Sequence, residues 1–209
     1  MTIHYYAFGS ICRGEVDRGS DIDLLACVSS ERPDLDPQKF SIYGHDRLRE
    51  LWRGGNPFAW HIHLESRLLY ASDGQDFIAS LGVPAQYSKR RADCEKFAKL
   101  FDESFCALQA NENSKIFHLS CMFLAMRNFA TCYSFGNGTP IFSRRSPLLL
   151  DKCVPISESV FDIFARARIL STRGYGSLPS EEEIDGAKKF SGEITGWMSD
   201  LLSSEDFNE

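Results

Sequence analysis

Two aspartates, Asp21 and Asp23, stand two positions apart at the head of an apolar run. Ten residues earlier, a Gly9-Ser10 pair ends another β-prone run, Ile3 to Phe8. Side chains alternate along a strand, so Asp21 and Asp23 project to one face. That spacing suits Mg²⁺, which is bound through one or two carboxylates together with substrate phosphates. With no cation between them, the two carboxylates repel and one holds its proton more tightly. Gly9 has no Cβ, so backbone amides there can come close to a phosphate, and the Ser10 hydroxyl adds a donor. Arg13, one turn further on, is a candidate phosphate contact or a surface arginine.

The elements that must position these residues follow from pattern. A short helix is expected over 11–16, turn chemistry over Asp17-Arg18-Gly19-Ser20, and a second strand over 21–28. On that strand Ile22, Leu24 and Ala26 share one face; Asp21, Asp23 and Leu25 share the other. Residues 31–37 read as a loop. Asp46 to Arg53 reads as a short helix broken by Gly54-Gly55-Asn56-Pro57. Trp60 to Leu64 reads as a third strand and Leu68 to Tyr70 as a fourth. Beyond Pro84 the period becomes helical: Phe97, Leu100, Phe101, Phe105 and Leu108 recur at spacings of three and four. Helices are also expected over 116–133 and 157–170, and a last one behind a Ser180/Glu183 capping box. The fold class is therefore α+β, a small mixed α/β sheet domain over 1–88 followed by an all-helical bundle over 89–209.

Composition narrows the class. Hydrophobic residues make up 43% of the 209, enough for a packed core, and no apolar run reaches the ~20 residues of a membrane span. The formal charge of −6 disfavours a long nucleic acid as partner. The seven cysteines include no close CxxC pair and lie mostly in apolar runs. They read as reduced thiols, and with a start that lacks a signal peptide they point to the cytoplasm.

The stretch from Phe8 to Leu25 resembles the DNA polymerase beta-like nucleotidyltransferase superfamily, in particular its minimal bacterial members and the antibiotic nucleotidyltransferases such as the kanamycin enzyme. Gly9 and Ser10 fall on the family's phosphate turn, and Asp21 and Asp23 on its metal pair. The flanks Arg13-Gly14 and Ser20-Asp21 match as well. The resemblance implies Mg²⁺ in a two-metal site, an NTP substrate with ATP expected, and transfer of NMP with loss of pyrophosphate. It also implies a third carboxylate from a later strand, as metal ligand or general base. On the expected strand at 60–65, His61, His63 and Glu65 share one parity. Glu65 is the carboxylate among them and takes the third role, with His61 and His63 as the alternatives.

The helical half would carry the acceptor if the kanamycin analogy holds. Arg127-Asn128-Phe129-Ala130-Thr131-Cys132 resembles the Arg-Asn-x3-His pattern of HEPN domains, with Cys132 where the histidine would be, which argues against RNase activity. A buried helix with Arg127 and Asn128 satisfying internal acceptors explains the same residues. Arg144, Arg145, Arg166, Arg168 and Arg173 read as a salt-bridged face or as acceptor contacts. The leading function is an enzyme moving a nucleotide onto a protein or small-molecule hydroxyl. A binding or antitoxin-type protein without turnover and an antibiotic-modifying enzyme are the rivals. The acceptor, the oligomeric state and the pathway stay open.

Overall fold

A computed structural model of the chain describes residues 2–15, 22–30, 34–110 and 113–204, in two compact units, Met1–Ser88 and Lys89–Glu209. The first unit runs β1 (Ile3–Phe8), α1 (Ser10–Arg13), β2 (Asp23–Val28), β3 (Ser41–Gly44), α2 (His45–Arg53), α3 (Pro57–Glu65), β4 (Arg67–Ala71) and α4 (Phe77–Ser80). Its four strands lie in the order β3-β2-β1-β4. The β1 strand is antiparallel to both β2 and β4, and β3 is parallel to β2. Tyr6, Phe8, Leu25 and Cys27 share the face that packs on Leu48 and Trp52 of α2 and Ala59 and Ile62 of α3.

The expected third strand is corrected: Trp60 to Leu64 lies within α3. Asn56 caps that helix by accepting the Phe58 N–H at 2.9 Å, and Pro57 takes the first turn, where its missing N–H costs nothing. Ala59 and Ile62, three apart, are its buried positions. The strand that pairs with β1 is instead β4, with Tyr70 opposite Tyr5 and Leu68 opposite Tyr6 around a bulge.

One polar knot sits inside this core. His4 is 2% exposed, and its Nε2–H donates to Asp73 at 3.1 Å. His45 stacks on Phe77 at 4.1 Å, its ring 5.3 Å from that of His4. His4 Nδ1 and His45 Nε2 are buried without a hydrogen-bond partner. Burial, then the positive charges of His4 and Arg49, push the His45 imidazole below its ordinary pKa; a hydrogen bond to the Cys27 backbone and the Asp46 charge pull weakly the other way. The folded state therefore favours neutral His45. Its contribution is complete above the unfolded value of ~6.5 and is lost as pH falls below it. The melting temperature should drop between pH 7 and pH 5, and His45→Phe, which keeps the stack on Phe77, should flatten that drop. An unchanged pH profile in the variant would remove His45 as its source.

The second unit is helical: α5 (Arg90–Ala110), α6 (Lys115–Ser134), α7 (Ser146–Leu149), α8 (Glu158–Arg173) and α9 (Glu181–Ser203). The α6 helix packs on α5 and α8, and α9 packs on the same two. Twelve α6 positions are buried, so its sides are apolar nearly all round. Ser180 and Glu183 form the expected capping box at the head of α9. No helix among the described residues is long and apolar enough to cross a membrane.

Candidate functional site

The site is built where β1 ends and β2 begins. Antiparallel pairing sets Phe8 opposite Asp23 at the edge of the ladder. The chain must then turn sharply out of β1, and Gly9 makes the turn at φ 76° and ψ −145°, a conformation that side chains rarely tolerate. Ser10 opens the single turn of α1, and the Ser10 carbonyl accepts the Glu15 N–H at 3.0 Å. A Cβ placed on Gly9 would lie 2.5 Å from Oδ2 of Asp23. The absent side chain is what lets the bend close onto the carboxylate.

Asp23 is exposed at the first position of β2, while Leu25 to Val28 behind it are buried. Among the described residues it is the sole carboxylate carried by a strand of the sheet. Asp21 and Ser20, the other sequence-predicted positions here, lie outside the described residues. No cluster of three or more metal-ligating side chains occurs among the described residues. The oxygen chemistry of Asp23 and the cradle at Gly9 nevertheless fit a hard divalent cation carrying phosphate, with Asp21 one alternate position away in sequence.

Glu65 does not stand on a strand. It ends α3, where its side chain is 14% exposed and ion-paired with Arg13, and it accepts a hydrogen bond from His61 Nε2 at 2.9 Å. His61 and Glu65 still share a face, through the i,i+4 spacing of a helix rather than strand parity. His63 separates from them: its ring lies edge-on to Trp52 and Trp60 at 6.5 and 6.0 Å. Arg13 also pairs with Glu15 at 3.0 Å. Burial alone would lower the pKa of its guanidinium, but hydrogen bonds and charge from Glu15 and Glu65 outweigh it and hold the value above the ordinary one.

A cleft of about 420 Å³ opens on the β3 side of Asp23, lined by Ile22, Leu24, Gln38, Phe40 and Ser41 together with Pro37 and Lys39. Sequence reasoning missed the wall formed by Phe40 and Ser41, because β3 is four residues long with no buried member and offers no alternation to read. Ser41 opens the strand beside β2, opposite Leu25, and its hydroxyl lines the cleft with Asp23.

In the second unit Arg127 donates to the Phe142 carbonyl at 3.0 Å and to Asn128 Oδ1 at 3.4 Å, an internal structural use. The basic series is paired as well. Arg145 meets Glu158 at 2.8 Å, Arg166 pairs with Glu183, Arg168 donates to Ser120 and Arg173 to Tyr175.

Residues 3–71, about a third of the chain, match the family model described as Nucleotidyltransferase domain. No curated protein matches the chain. The matched span runs from the first residue of β1 to the last of β4, and so contains the sheet, the Gly9 bend and Asp23. The segment Ile3 to Ala71 is therefore a nucleotidyltransferase domain, consistent with the DNA polymerase beta-like superfamily, and a helical region follows it.

Proposed function

We propose that the protein transfers NMP, with ATP as the expected donor, to a hydroxyl on a protein or small molecule, in a reaction dependent on Mg²⁺. The carrying observation is the Gly9 bend lying directly against the Asp23 carboxylate. Gly9 and Ser10 would hold the β- and γ-phosphates through backbone amides and the serine hydroxyl. Asp21 and Asp23 would hold the metal. When bound, Mg²⁺ would offset the negative charge that develops on the phosphates during in-line displacement. The cleft toward β3 leaves room beside Asp23 for the rest of the donor or for the acceptor.

Incubation with each α-labelled NTP, Mg²⁺ and cell lysate tests the reading. Label should move onto an acceptor with wild type and not with Asp21→Ala/Asp23→Ala. Equal labelling by both proteins would overturn the assigned site.

A second reading has an observation of its own. Glu65 is held by Arg13 and His61, and neither β3 nor β4 contains a carboxylate. That arrangement favours a protein that holds nucleotide without turning it over. Nucleotide binding without label transfer to any acceptor would select it.

A further inference from the structure

Arg13 occupies an unusual electrostatic position for a group one turn from a phosphate bend. It ends the four-residue α1 that Ser10 begins. One guanidinium serves two carboxylates, Glu15 and Glu65, and Glu65 is also held by His61. The side chains of Arg13, His61 and Glu65 are 19%, 14% and 14% exposed, so these three form a packed network, while Glu15 on its outer side is 43% exposed. Arg13 Nε is buried with no hydrogen-bond partner. The guanidinium fork is thus incompletely used in the protein alone.

A triphosphate seated on Gly9-Ser10 would bring several negative charges toward Glu65, the half-buried carboxylate that Arg13 holds. Like charges in a partly desolvated setting repel strongly. Arginine binds phosphate with the same bidentate geometry it uses for carboxylate. The least costly rearrangement is an exchange of partners at Arg13, not the arrival of phosphate beside an unchanged network. His61 stays within reach of Glu65 throughout, because both are one turn apart on α3.

We propose that Arg13 changes partner when Mg²⁺·NTP binds: it leaves Glu65 for a phosphate oxygen, and Glu65, steadied by His61, becomes an available carboxylate at the site. This rests on the nucleotidyl-transfer reading above and adds a gate to it. In the free protein, Glu65 occupies Arg13 and competes with nucleotide. In the bound protein, Arg13 anchors phosphate and Glu65 is released to take the proton of the acceptor hydroxyl. Arg13 is then a binding residue and Glu65 a residue whose two duties oppose each other.

That opposition gives a signature a purely structural pair would not show. Glu65→Gln keeps the side-chain size but removes the competing charge, so Mg²⁺·ATP should bind about fivefold tighter than to wild type while nucleotidyl transfer falls. Arg13→Ala/Glu65→Gln should lose the gain. Unchanged or weaker binding by Glu65→Gln, with wild type binding normally, would overturn the exchange and leave the nucleotide reading intact. Absence of Mg²⁺·ATP binding by both wild type and Glu65→Gln would remove the nucleotide reading and the exchange together. Should Glu65→Gln not fold, the wild type carries the test through the His61 ring. Its NMR resonances should shift when Mg²⁺·ATP is added, and an unmoved ring in a protein that binds ATP would refute the exchange.

Discussion

Gly9→Val is expected to abolish Mg²⁺·ATP binding and to cost about 1–3 kcal/mol of stability in the first unit. Two independent costs combine. The backbone at φ 76° and ψ −145° lies where β-branched residues are strongly disfavoured. The new Cβ would also begin 2.5 Å from Oδ2 of Asp23, well inside van der Waals contact. The Asp23 carboxylate is the atom group able to move, so the substitution relieves the clash by pushing aside the proposed metal ligand. Gly9→Ala separates the terms, since it brings the same clash with less backbone penalty. Titration with labelled ATP and a thermal melt on both variants measure the two effects. Wild-type affinity in Gly9→Ala would mean that the bend and Asp23 do not form one site.

Asp23→Ala should show the opposite balance, with the fold kept and the chemistry lost. Asp23 is exposed at the head of β2, and the strand is anchored by Leu25 to Val28 behind it. Stability should change by no more than about 0.5 kcal/mol, as is usual for an exposed position. Transfer should fall by about a thousandfold or more, because loss of a ligand removes several kcal/mol of charge stabilisation at the displaced phosphate. Matched melting curves beside assays with labelled NTP check this. A well-folded Asp23→Ala protein with transfer within tenfold of wild type would contradict the assignment.

How much of this was legible beforehand depended on how long and how regular each signal was. The bend at Gly9 could be read because glycine has a narrow conformational use, and β2 because an apolar run follows Asp23, although the strand begins at Asp23 and not at position 21. Helices α5, α6, α8 and α9 run 16 to 23 residues, long enough for the helical period to repeat. The segment Trp60 to Leu64 imitates a strand because Trp-His-Ile-His-Leu alternates by accident. In the nine-residue α3, buried Ala59 and Ile62 keep helical spacing, and the deciding signal was Asn56-Pro57, a helix start that also looks like a breaker. His61 and Glu65 share a side as strand or as helix, because both periods place positions four apart on one side. The Arg13–Glu65 pair could not be read at all. It joins residues 52 apart, and nothing local to either position specifies the other.

A divalent cation and a triphosphate held together by the aspartates and the glycine bend should each depend on the other for binding. Calorimetric titration of ATP into wild type and Asp21→Ala/Asp23→Ala, each with and without Mg²⁺, reads out that dependence. Strong binding is expected for wild type with Mg²⁺, and a large loss when either the metal or the aspartates are removed. Binding of equal strength in all four titrations would contradict it.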